Sequence, residues 1–296
     1  MSGAARAVAV PAALADRPTS AWLPTAPCSP HTCVESTASW AAVPRAVPRL
    51  VAVLALVLVG VASCQLVGRL RATVRDRLIR RWCRAVVRAA GVRMRFTGAA
   101  APTGGLLIVA NHISWLDIPL LAAVRPARML AKSEVRGWPV AGPVAARGGT
   151  LFIDRDRLRA LPGTVRRIAG ALRDGAAVVA FPEGSTWCGR AQGHFRRAVF
   201  QAALDADVPV QPVRLHYRLV GGTASTAPAF VGSDSLPASV WRVVSARALV
   251  AEVQVLPALA PGDHTDRRDL ARAAQGDPHP QDAGHPGFAR APASRT

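Results

Sequence analysis

Val109-Ala110-Asn111-His112-Ile113-Ser114-Trp115-Leu116-Asp117-Ile118-Pro119 is the stretch from which the rest of the chain is read. It continues the aliphatic run Leu106 to Ala110, entered through Thr103-Gly104-Gly105, and a run this short and apolar predicts a buried strand. The strand delivers His112 to a sheet edge, and Asp117 to Val124 predicts a short helix that brings the carboxylate back towards the imidazole. A carboxylate on Nδ1 holds a histidine in one tautomer and leaves Nε2 as a base for an attacking hydroxyl. A lone histidine beside an apolar run is more often structural, so the weight of His112 and Asp117 depends on what accompanies them.

Downstream, short apolar runs alternate with helical stretches. Strands are predicted at Val92 to Thr97, Leu106 to Ala110, Ala127 to Ala131, Thr150 to Ile153, Ala177 to Phe181, Val210 to Leu215 and Val250 to Leu256. Helices fall between several of them, notably Arg157 to Arg173 and Phe195 to Asp205. The pattern predicts an α/β domain over 91–260 with a mostly mixed central sheet flanked by helices. Three further segments sit at or near strand ends, where such domains place ligands. Gly149 to Arg155 ends in an arginine suited to phosphate. Val179 to Thr186 carries Glu183 and Gly184, a carboxylate beside a residue that lets backbone approach a ligand. Val208 to Val213 holds two prolines, which suggests an edge strand or a wall. Taken singly, these read as a surface arginine, a turn glutamate and an edge strand.

Their joint order resembles the glycerophospholipid acyltransferase family, in particular its membrane-bound 1-acyl-glycerol-3-phosphate acyltransferases, over about residues 90–215. Asn111 to Asp117 is similar to the family's Asn-His-x4-Asp block, which implies His112 as general base and Asp117 as its orienting partner. Gly149 to Arg155 resembles the second block, implying that Arg155 binds the acceptor's phosphate. Phe181 to Gly184 resembles the third, which places Glu183 near the glycerol or phosphate, and Val208 to Pro212 resembles the fourth. Asn111 and Gly184 count as substrate-binding by the same resemblance. The family usually continues Phe-Pro-Glu-Gly-Thr-Arg-Ser, whereas here Ser185, Thr186 and Trp187 follow, so a threonine holds the arginine position. Lys132, Arg190 or Arg196 could supply that charge. The resemblance implies 1-acyl-glycerol-3-phosphate as acceptor, giving phosphatidic acid, because the Phe152-Ile153-Asp154-Arg155 end of the second block is complete; relatives that acylate lyso-ornithine lipid look similar here too, and that acceptor is the alternative. The implied reaction needs no metal or bound cofactor, only acyl-CoA or acyl carrier protein as co-substrate.

Between Arg49 and Arg69 the chain runs uncharged from Leu50 to Gly68, long enough as a helix to cross ~30 Å of hydrocarbon. Arg69 to Ala90 follows with arginines on one helical face and Leu78, Ile79, Trp82 and Val86 on the other, suited either to an anionic membrane surface or to packing on the domain. The arginine cluster places everything after residue 69 on the cytoplasmic side of the inner membrane. Residues 1–48, rich in Ala and Pro, read as a disordered extension, and 261–296 as a mobile tail.

The formal charge of +19 comes from 37 basic and 18 acidic residues, with Lys132 the sole lysine. Charge alone admits nucleic acid, an anionic membrane or a phosphorylated substrate as partner. Aromatics at 5%, with no helix-turn-helix or aromatic RNA-binding signature, argue against nucleic acid. The five cysteines, at 28, 33, 64, 83 and 188, are scattered without zinc spacing and read as ordinary thiols.

Overall fold

Leu106–Ala110 and Ala177–Ala180 are aliphatic without polar alternation, the pattern of strands covered on both faces. The computed structural model describes residues 26–37, 39–101, 103–137, 141–154 and 157–276, and in it every residue of both strands is buried. The strands are β1 (Arg93–Thr97), β2 (Leu106–Ala110), β3 (Arg128–Lys132), β4 (Leu151–Ile153), β5 (Ala177–Ala180), β6 (Val210–Leu219) and β7 (Leu249–Val255). They form a seven-stranded sheet in the order β1-β7-β6-β2-β5-β3-β4, parallel throughout except for the β6–β7 pair.

Strand pleating divides the core. Leu106, Ile108 and Ala110 point to one face, and Leu107 and Val109 to the other. The first face is covered by α3 (Ala72–Ala89), α4 (Asp117–Val124) and α8 (Leu236–Ser245) through Val87, Leu120, Leu121 and Val243. The second is covered by α6 (Leu161–Arg173), α7 (Ala198–Ala206) and α9 (Arg267–Gln275) through Ile168, Leu172, Phe200 and Leu270. The remaining helices are α1 (Pro30–Cys33), α2 (Val43–Gly68) and α5 (Ala141–Arg147). The expected α/β architecture with a mixed sheet is the observed one.

The structure corrects several expectations. β6 is an interior strand despite Pro212, lying between β7 and β2, with Pro209 just ahead of it. Pro212 still accepts a hydrogen bond from Leu256 N (3.0 Å), and the Leu256 carbonyl that a Pro212 N–H would have served is taken by the Gln211 side-chain amide. The supposedly disordered N-terminal region is ordered from residue 26: Cys28 and Cys33 are buried, and Ser29 caps α1. The long apolar helix starts at Val43 rather than near residue 49, because Pro44 occupies the first turn, where a missing N–H costs nothing. Its start is clamped to the C-terminus of α8, where Arg45 donates to Ser245 O (3.1 Å) and Arg49 to Val244 O (3.0 Å) and Ala246 O (2.8 Å). The helix end thus receives cations at its unsatisfied carbonyls. The Arg49 guanidinium lies where a side chain on Gly91 would stand, and Gly91 has φ +81. The tail is likewise ordered as far as residue 276, since Asp266 caps α9 and Leu270, Ala271 and Ala274 are buried. Residues 1–25 and 277–296 lie outside the described residues.

Among the described residues, Trp40–Gly68 is the one helix long and apolar enough to cross a membrane, and the domain leaves it almost wholly uncovered. A single crossing meets a topological obstacle, however. α2 and α3 form a hairpin in which the Trp82 indole lies over Gly60 and its N–H donates to Leu56 O (2.8 Å). The start of α2 is tied to α8, and the end of α3 packs on α4 and leads into β1, so both ends of the hairpin belong to the same domain. If α2 crossed a bilayer, α3 would have to cross back with Arg75, Arg77, Arg80 and Arg81, each at a cost of at least ~2.5 kcal/mol at the centre.

A side chain at Gly60 would begin 2.6 Å from the Trp82 ring. Gly60→Val is therefore expected to destabilise the protein by about 1–3 kcal/mol through overpacking. A thermal midpoint in detergent equal to that of the parent chain would show that the two helices do not pack there.

Candidate active site

Because β2 and β5 are parallel neighbours, the loops after both leave on the same sheet edge, and the site forms where those loops meet. His112 follows the end of β2, and Asp117 is the first residue of α4. His112 Nδ1 lies 2.8 Å from Asp117 Oδ2, so the expected dyad is formed. The same Oδ2 accepts the backbone N–H of Ile113 (2.7 Å) and of Ser114 (2.8 Å), while Oδ1 accepts the Tyr217 hydroxyl (2.6 Å). Asp117 has no exposed surface, and its two oxygens meet these four donors. A carboxylate is acceptor-only, so this network assigns the proton between the pair to His112 Nδ1 and leaves Nε2 as the basic nitrogen. The His112 side chain keeps 21% of its surface open.

The loop after β5 fixes the histidine from the other side. Phe181 stacks on the imidazole, with ring centroids 3.9 Å apart and planes 14° from parallel. His112 N donates to Glu183 Oε2 (2.7 Å), and His112 O accepts from Trp187 N (2.8 Å). Glu183 Oε1 accepts Gly193 N (3.0 Å), and Glu183 is only 4% exposed. Each of its oxygens thus holds a backbone N–H, those of His112 and Gly193. Gly184, at φ +75, turns the chain directly after it. The Asn111 amide pairs with Leu215, donating to Leu215 O (3.0 Å) and accepting from Leu215 N (2.8 Å), so it prolongs the β2–β6 ladder.

The basic candidates are distributed along the edge. Lys132 ends β3, exposed and in register with Ile153 of β4; β5 lies between it and β2, which separates it from the dyad strand by about 10 Å. Arg196 is exposed, and its backbone N–H donates to Pro182 O (3.0 Å), which keeps it beside the β5 loop. Arg190 is engaged by Glu35 (3.3 Å). Arg155 lies outside the described residues. Thr186, where the resemblance would place arginine, is partly exposed in the β5 loop.

Three supporting residues escaped sequence reasoning. Tyr217 is the only tyrosine of the chain and shares the apolar face of β6 with Val213 and Leu215. A phenol on such a face must find a buried partner, and that was the available signal. Burial and the Asp117 carboxylate hold this phenol well above the usual tyrosine range, so it remains a donor. Gln275 of α9 accepts from Phe195 N (3.0 Å) and donates to Gly193 O (3.0 Å), bracing the loop that Glu183 holds. Glu35 accepts Ser225 Oγ (2.9 Å) and Thr226 N (3.3 Å) besides Arg190. Nothing in the local sequence of Gln275 or Glu35 marks either position.

Residues 93–216 match the model of the acyltransferase family. The chain is 40% identical over 205 residues to the lyso-ornithine lipid O-acyltransferase of Pseudomonas aeruginosa, covering 68% of this chain and 76% of that one. It is 36% identical over 175 residues to a 1-acyl-sn-glycerol-3-phosphate acyltransferase of Neisseria gonorrhoeae, covering 58% of this chain and 68% of that one. The crystal structure of the 1-acyl-sn-glycerophosphate acyltransferase of Thermotoga maritima shares the fold, with TM-score 0.56 at 17% identity, over 78% of this chain and 93% of that one.

If Glu183 positions His112 rather than holding substrate, Glu183→Gln sets an amide N–H against a backbone N–H and disturbs the dyad. The expected result is a fall in kcat of about tenfold, equivalent to ~1.4 kcal/mol, with KM close to that of the parent. A rise in KM at unchanged kcat would return Glu183 to the substrate.

Proposed function

The chain belongs to the acyltransferase family, and from that premise we propose that it moves a fatty acyl group from a thioester to the free hydroxyl of a lysolipid by direct general-base catalysis. The observation that carries this reading is the His112–Asp117 pair at 2.8 Å, with the carboxylate sealed and the imidazole partly open. His112 Nε2 takes the proton of the acceptor hydroxyl as its oxygen attacks the thioester carbonyl. The C–O bond forms, the C–S bond breaks, and the proton passes from Nε2 to the departing thiolate. A thioester is already activated, so the residues have to supply a base and position rather than a covalent intermediate. Acyl-CoA and acyl carrier protein are the two donors this chemistry admits.

For the acceptor we take lyso-ornithine lipid first. The greater identity to the Pseudomonas relative supports this, as does Thr186, which offers a hydroxyl where a phosphate-binding site would use an arginine. The second acceptor reading is lysophosphatidic acid, supported by Lys132 and Arg196 on the edge of the sheet that carries the dyad. The enzyme works at an anionic membrane surface on the cytoplasmic side. In this reading the α2–α3 hairpin seats its apolar side in one leaflet and keeps the arginines of α3 at the headgroups, in place of the single crossing expected from composition.

His112→Ala is expected to lower kcat by ~10² to 10⁴, since that is the usual worth of a positioned general base, and Asp117→Asn should follow closely. A folded His112→Ala enzyme retaining more than about a tenth of parental turnover would remove the base from the mechanism.

Purified enzyme assayed with labelled acyl-CoA and each lysolipid decides the acceptor. Parental kcat/KM should favour lyso-ornithine lipid, and Thr186→Arg should lower KM for lysophosphatidic acid by roughly tenfold, the worth of one charge-assisted bond, while raising it for lyso-ornithine lipid. A parental preference for lysophosphatidic acid would reverse the order of the two readings.

A further inference from the structure

Cys28, Cys33 and Cys188 are remote in sequence, yet their sulfur atoms all lie within 4.8 Å of one another. The residues are 4%, 6% and 0% exposed, and no disulfide joins them among the described residues. Cys33 ends α1 and Cys28 lies two residues ahead of that helix, and Cys188 lies in the loop after β5, next to the Trp187 whose N–H holds His112 O. The seam where these segments meet is tight. Gly232, at φ +58, stands where a side chain would come within 3.0 Å of Cys28 O, and Glu35 joins Arg190 two residues beyond Cys188.

We propose that Cys28, Cys33 and Cys188 form a three-thiolate site for a soft d10 cation of the zinc class. Three points no more than 4.8 Å apart share a point within about 2.8 Å of each, and zinc–thiolate bonds are ~2.3 Å, so an inward shift of about half an ångström per sulfur completes the shell. Sulfur-only donors select such a cation over magnesium or calcium, which take oxygen. Each thiol loses its proton to solvent on binding, so affinity rises with pH, and a water or small solute fills the fourth place. The cation staples residues 28–33 to the loop that fixes His112 through Trp187 and Glu183. It takes no part in acyl transfer, and the proposal is independent of which acceptor the enzyme uses.

The test uses the full chain, purified in detergent under reducing conditions, loaded with Zn²⁺ and freed of loosely held ion. Elemental analysis is expected to find about one zinc per chain. Cys28→Ser, Cys33→Ser and Cys188→Ser should each lose most of it, while Cys64→Ser retains it. A Cd²⁺ titration of the unmodified chain, which requires no variant to fold, should develop thiolate-to-metal charge-transfer absorption that saturates at about one equivalent. Zinc below roughly a tenth of an equivalent without that absorption overturns the proposal. An intact mass two hydrogens light overturns it in favour of a disulfide, and equal zinc in all four variants overturns it by placing the ion elsewhere.

Discussion

A carboxylate with no exposed surface must find donors for the lone pairs it turns inward, and Asp117 meets that demand with residues from two parts of the fold. Oδ2 gathers His112, Ile113 and Ser114, all within five residues, and Oδ1 receives Tyr217 from β6. Leaving such a charge unpaired costs several kcal/mol, so the chain from His112 to Asp117 is held to a conformation that satisfies it. Folding the loop and orienting the imidazole are therefore one event. The imidazole is thus held without any ligand present, and in the proposed mechanism that is the condition under which positioning contributes to rate.

Around that centre the support spreads outward in steps. Glu183 holds His112 N and Gly193 N, and Gln275 holds Gly193 O and Phe195 N. α9, close to the end of the described chain, thereby braces the loop that carries Glu183. On the opposite flank, Glu35 ties the segment before α2 to Arg190, Ser225 and Thr226. Both flanking segments have the composition of loose extensions, and both end in side chains that satisfy polar groups of the site loops.

The hairpin joins the same scheme. α3 packs on α4, the helix that opens with Asp117, so one helix separates a surface suited to lipid headgroups from the dyad. The Trp82 indole laid over Gly60 keeps α2 and α3 together, and Arg45 and Arg49 tie α2 to the carbonyls that end α8. Under the proposed function, such an arrangement lets a lipid acceptor be met where it resides.

Local sequence determined the strands, the apolar helix and the dyad. Short aliphatic runs without polar alternation require burial on both faces wherever they fold, and His112 and Asp117 lie near enough in the chain to meet through one turn. Only the tertiary structure decided the rest, because each remaining feature depends on which distant segment comes alongside. Pro212 sits in an interior strand because Gln211 serves the carbonyl that proline cannot. Glu183 and Asn111 hold backbone groups because Gly193 and Leu215 arrive beside them. The crossing suggested by composition became a hairpin through the docking of both its ends on one domain. Cys28, Cys33 and Cys188 meet across more than half the chain, and no local pattern encodes that meeting, since sulfur-to-sulfur distance is set by the packing of whole elements.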